Sequence, residues 1–213
     1  TTTSSPLVMK SSSSSSSGSD ASHVDGPMRK EGTSSFVFPL GNNGFWARLE
    51  IGTLSSSSTF EAQYFFNSYT DVTSMAVGAN PTFNNVSGKE YWDLTQYAGS
   101  GSAEVTLYWE DAARSKITNC ADLKIARWDG GEWENTYNTS GFGACSGTGA
   151  GTISSVIDMV SFDGPLTFGS IIAGAINPLP IELISFTAQL NNWGEVDLEW
   201  ETASEINNDF FTL

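Results

Sequence analysis

The sequence predicts an all-β protein: an antiparallel β-sandwich followed by the first strands of an immunoglobulin-like or fibronectin type III-like module. Three observations carry this prediction. Apolar residues recur at every second position in one segment after another, the period of a strand with one buried face. Glycine and serine clusters separate those segments at turn spacing, and no long window places helix formers at a 3.6-residue period. Seven Trp, six Tyr and thirteen Phe among 213 residues supply bulky material for the buried faces.

The elements follow in order. Residues 1–22 contain Leu7, Val8 and Met9 and then the unbroken run Ser11–Ser17. Two readings stand for this stretch: a flexible serine linker, or an extended strand of small side chains tied to the rest. From His23 the pattern is regular, and 23–174 is expected to form the sandwich. Phe36–Leu40 is a short apolar run ended by the turn Gly41-Asn42-Asn43-Gly44. Phe45, Ala47, Leu49 and Ile51 then alternate with Trp46, Arg48 and Glu50, so one face is buried and the other wet. Phe60, Ala62, Tyr64 and Phe66 repeat this after the serine turn Ser55–Ser58. The clearest strand sets Ala103, Val105, Leu107 and Trp109 against Glu104, Thr106, Tyr108 and Glu110. Leu123–Trp128, the turn Asp129-Gly130-Gly131 and then Glu132-Trp133 read as a hairpin. Ile153–Val160 and Leu166–Ile172 complete the set.

Residues 175–180 carry Pro178 and Pro180, which block sheet pairing and mark a linker. In 181–213, Ile184, Phe186, Ala188 and Leu190 form one alternating face, and Val196, Leu198 and Trp200 form another after Asn191-Asn192-Trp193-Gly194. A third apolar run starts at Phe210. A complete module of this kind needs about seven strands. The missing ones come either from later residues of the native chain or from a partner that donates a strand.

Charge excludes several function classes. The 24 acidic and 9 basic residues give a formal net charge of −15, which repels phosphate backbones and anionic lipid. Nucleic acid is therefore not an expected partner. Membrane insertion is not expected either, because no stretch approaches the ~20 apolar residues of a spanning helix. Cys120 and Cys145 are expected to pair in a disulfide, as suits an extracellular chain. Two thiols with no neighbouring histidine do not complete a zinc site.

The segment Leu179-Pro180-Ile181-Glu182-Leu183-Ile184-Ser185-Phe186-Thr187-Ala188, with Val196–Trp200 and Glu201-Thr202-Ala203-Ser204-Glu205-Ile206-Asn207-Asn208-Asp209-Phe210-Phe211, resembles a stretch of secreted Bacteroidota proteins. There it lies shortly before the sorting domain read by the type IX secretion system. His23–Lys30, Phe36–Gly41 and Ala126–Gly130 are similar to modules just upstream in such proteins. The resemblance implies export to the cell surface or medium in long, often adhesive, multidomain chains. It carries no catalytic motif with it. The expected partners are other domains of the same chain or like copies.

Candidate chemistry is sparse. His23 is the sole histidine, so any Ser-His-Asp arrangement would have to use it. A solvated or strand-capping role is the simpler reading. Glu90 with Asp93, or Glu110 with Asp111, would be the carboxylate pairs of a glycosidase, although chance pairs are expected among 24 acidic residues. Gly147-Thr148-Gly149-Ala150-Gly151 lacks the lysine and following helix of a phosphate loop. No cofactor is expected apart from calcium, for which the acidic glycine-rich turns at Asp129, Glu132 and Asp163 are the candidates. Trp46, Tyr108 and Trp128 fall on the polar side of their strands, where a ring can stack on a polysaccharide or pack against a neighbouring domain. The expected function is a non-catalytic structural or adhesive module, with carbohydrate binding as its rival.

Overall fold

The computed structural model describes residues 5–76, 83–136, 142–155, 164–171, 183–190 and 196–202. The chain divides into two compact units, Thr1–Asn177 and Pro178–Leu213. Among the described residues every regular element is a strand. In the first unit one sheet runs in the order β1 (Leu7–Met9), β3 (Met28–Gly32), β6 (Ser58–Phe65), β8 (Tyr91–Gly99), β14 (Pro165–Ser170), β10 (Leu123–Trp128) and β11 (Trp133–Asn135). The short β7 (Asn85–Val86) also pairs with β14. The second sheet runs β12 (Phe142–Gly143), β13 (Gly151–Ser154), β9 (Val105–Trp109), β5 (Phe45–Ile51), β4 (Phe36–Asn42) and β2 (Val24–Asp25).

The period-two residues of the two sheets meet in one core. Phe38, Leu49, Ile51, Leu107 and Trp109 of the six-stranded sheet join Phe60, Tyr64, Trp92, Ile125 and Phe168 of the eight-stranded one. Trp92 and Trp109 meet Phe168 edge-on, at ring-centre separations of 5.3 and 5.9 Å. This is the quadrupole-favoured geometry, and it makes the layers sandwich-like. The β4–β5 hairpin turns at Asn43 (φ 56°) and Gly44 (φ 79°), the left-handed pair that a tight hairpin demands.

The antiparallel expectation needs one correction. β1 pairs with β3, and β2 with β4, in parallel. Short turns impose antiparallel pairing only on the strands they join. Residues 10–23 instead carry the chain from the edge of one sheet to the edge of the other. The longest strand, β8, has no counterpart among the sequence predictions. Trp92 and Leu94 are buried in it and Asp93 is exposed, so the alternation was present but was interrupted at Gln96-Tyr97. There the β6–β8 register slips at Thr59/Phe60, an irregularity of the β-bulge kind.

Neither reading of the serine run describes it fully. The strand covers only Leu7–Met9, and the serines beyond it are tied down without a ladder. Ser15 donates its hydroxyl to the Val37 carbonyl at 2.5 Å, and Ser19 and Ser22 exchange backbone hydrogen bonds at 2.9 Å. The anchor is Lys30, which shares the inward face of β3 with Met28 and is only 1 % exposed. Its ammonium donates to the carbonyls of Glu31 (2.6 Å), Ser11 (3.0 Å) and Lys10 (3.2 Å). Burial lowers its pKa. Desolvating a charge costs several kcal/mol, and the carbonyl cage offsets that cost. Lys30→Ala strands these acceptors and is expected to cost about 2 kcal/mol. Urea unfolding measures the loss, and limited proteolysis is expected to show new cleavage within Ser11–Ser17. A variant as stable and as resistant as the parent would contradict the anchoring role.

In the second unit β15 (Leu183–Leu190) and β16 (Val196–Thr202) form an antiparallel hairpin. Phe186 lies opposite Trp200, Ala188 opposite Leu198 and Leu190 opposite Val196, while Thr187–Glu199 and Gln189–Asp197 form the alternate pairs. The predicted third run at Phe210 and the Pro178–Pro180 linker lie outside the described residues.

Candidate functional site

The three aromatic residues singled out from sequence do not form one platform. Trp46 (β5) and Tyr108 (β9) lie on the outer face of the six-stranded sheet, whereas Trp128 (β10) belongs to the other sheet. Between Trp46 and Tyr108 sits Arg48, its guanidinium carbon 4.7 Å from one ring centre and 4.2 Å from the other. Glu110 holds that guanidinium through a forked pair of hydrogen bonds at 2.6 and 3.0 Å. Tyr108 donates to Glu50 at 2.5 Å, and partial burial together with that bond pushes the phenol up to about 12. One end of this ladder is covered. Gly18 lies so close over the Trp46 indole that any side chain there would collide with the ring. Asp20 accepts from the Trp46 backbone N–H at 2.8 Å and from Arg114. An open groove of about 270 Å³ adjoins Arg48 and is bordered by Phe142, Gly143 and Thr152.

The groups able to do acid–base or nucleophilic chemistry are mostly engaged with neighbouring parts of the fold. Glu90 is buried and accepts a 2.5 Å hydrogen bond from the equally buried Tyr64, and burial raises the pKa of both. Asp93, its proposed partner, is exposed on the outer face of β8. Glu110 is committed to Arg48, and Asp111 accepts the Arg114 backbone N–H at 2.9 Å. His23 Nδ1 lies 3.1 Å from the Ser19 carbonyl, and its ring packs over Gly41, beside β2. Cys120 and Cys145 are joined in a disulfide.

Of the calcium candidates, Asp129 uses its carboxylate to hold a turn. Asp129 Oδ1 accepts the backbone N–H groups of Gly131 and Glu132, each at 2.8 Å, and these bonds lower its pKa. Glu132 is half-buried, and Asp163 lies outside the described residues. Among the described residues no group of three or more His, Cys, Asp or Glu side chains converges as a metal site. No helix among them is long and apolar enough to cross a membrane.

Sequence reasoning missed an aromatic cluster on the outer side of the eight-stranded sheet. Val72, Ala76, Phe83 and Trp133 are buried without belonging to the main core. Asp71 organises the turn beside Trp133. Its carboxylate accepts from the Thr73 and Ser74 backbones and hydroxyls, which lowers it to about 2, and its carbonyl accepts from the Trp133 indole at 2.8 Å. From Trp133 the cluster continues through Trp128, Tyr69, Tyr91 and Phe65. Tyr69 meets Trp128 at 5.5 Å and Tyr91 at 5.3 Å, and Phe65 stacks on Tyr91 at 4.7 Å with 14° between planes. The signal was legible in part: Phe65 and Tyr91 each occupy the polar side of an alternating strand, as Trp128 does. Comparison of the chain with protein-family models, with curated proteins and with solved structures finds no match to any of them.

Proposed function

We propose that the protein is a non-catalytic structural and adhesive module of an extracellular chain, acting through its sheet faces and edges rather than through a reactive pocket. The observation that carries this reading is that Glu90, Glu110, Asp111, Asp129 and His23 each make at least one hydrogen bond to a neighbouring group of the fold. A disulfide in a strongly acidic β protein suits the oxidising exterior of a cell. The resemblance of the C-terminal segment to secreted Bacteroidota chains agrees with it. Other domains of the same chain, or like copies, are the partners this role requires. Beads coated with the chain are expected to be retained under flow on a surface carrying the same chain or an uncharged glycan. Release from both surfaces at the rate of blocked beads would contradict the adhesive role.

A second reading, carbohydrate binding, is favoured by one observation of its own. Half-buried aromatic rings stand on the outer faces of both sheets, beside polar side chains able to bond hydroxyl groups.

A further inference from the structure

We infer that the outer face of β6 and β8 is a binding strip for an uncharged polysaccharide. The inference deepens the carbohydrate reading and rests on it. The strip has a ring at each end and polar groups between. At one end Tyr91 stacks on Phe65. At the other Tyr97, 62 % exposed, lies over Arg29, whose guanidinium carbon is 3.7 Å from the ring centre. Arg29 is fixed in turn by Glu61, with 2.5 Å between Nη2 and Oε2. The register slip at Thr59/Phe60 frees Tyr97 from the alternation: Gln96 pairs opposite Phe60, and its amide bonds inward to Ser58 and to the Gly101 carbonyl.

Between the two ends lie Gln63, Asp93 and Thr95, with Gln63 directly opposite Asp93 and Glu61 opposite Thr95. They offer an amide, carboxylates and a hydroxyl within one surface. The six-residue step from Tyr91 to Tyr97 spans about 20 Å at ~3.3 Å per residue, the length of a short oligosaccharide. A sugar chain presents apolar C–H faces and hydroxyls in alternation, so it needs rings to stack on and donors and acceptors to bond. A protein partner would instead favour an apolar centre with a polar rim, and here the centre is polar. Charge fixes the class further. With a net charge of −15 and carboxylates at Glu61 and Asp93, the strip repels uronate and sulfate groups.

Affinity electrophoresis of the whole chain tests this, in gels containing mixed-linkage β-glucan, galactomannan or dextran, with alginate as the anionic probe. At least one uncharged polymer is expected to retard the protein and alginate is not. Tyr97→Ala and Tyr91→Ala are each expected to weaken retardation about tenfold. Tyr97 is exposed, so its variant keeps the parent unfolding curve as a control. Retardation that survives both substitutions but is lost in Tyr108→Ala would overturn the strip and leave carbohydrate binding on the other face. Retardation by none of the polymers would overturn the strip and the carbohydrate reading together. Self-association abolished by Tyr97→Ala would assign the strip to a second copy and overturn it as well.

Discussion

Replacing Trp109 with alanine is expected to lower the unfolding free energy by about 4 kcal/mol. Trp109 ends the alternating strand β9 and has no exposed surface. It reaches across the core to Phe168 and donates its indole N–H to the Ala144 carbonyl at 2.7 Å. The ring also presses on Gly151, where a Cβ would lie 2.0 Å from the ring carbon Cζ2. Truncation therefore opens a cavity between two sheets and strands a carbonyl. The site has little freedom to collapse, because β9 and β13 are paired from Gly151–Trp109 through Ser154–Thr106. Urea denaturation followed by tryptophan fluorescence reads the change. A loss below about 1 kcal/mol would show that the two sheets do not share this core.

Reducing the disulfide is expected to cost about 3 kcal/mol in the chain-entropy account. Cys120 and Cys145 are 25 residues apart in sequence with Cα atoms 5.4 Å apart. Cys120 is buried in the main core and Cys145 packs against it. The bond thus ties the loop after β9 to the segment after β12, which also holds Ala144 against Trp109. In a protein of this size the loss corresponds to a midpoint about 10 °C lower. Scanning calorimetry with and without reductant checks it, and a Cys120→Ser/Cys145→Ser double variant is expected to match the reduced parent. Identical midpoints would show that the crosslink does not constrain the unfolded chain.

The parts of the fold that could be read in advance were those in which burial alone decides the pattern. Val105, Leu107 and Trp109, or Ala47, Leu49 and Ile51, announce their faces because each alternate position is either fully buried or wet. The turns at Asn43-Gly44 and Asp129-Gly130-Gly131 announce themselves through backbone chemistry. What escaped notice depends on long-range partners. Lys30 reads as a surface lysine until three distant or adjacent carbonyls surround it. The serine run has no side chain large enough to signal which surface it lies on, although Ser15 and Gly18 are fitted to Val37 and Trp46. Strand β8 lost its signal at the slip that turns Tyr97 outward. The aromatic residues of the candidate site were identified by type and by face. Their grouping was not legible, because periodicity within a strand says nothing of which sheet that strand joins: Trp46 and Tyr108 came together and Trp128 did not.

The central claim is that Glu90 and Glu110 serve the fold rather than a reaction and that the function of the chain lies on its faces. A turnover screen of the purified chain against glycoside, ester and peptide substrates tests this most directly, with Glu90→Gln and Glu110→Gln measured alongside. The account predicts no turnover above buffer for the parent or for either variant. Turnover by the parent that disappears in one of the two variants would contradict it.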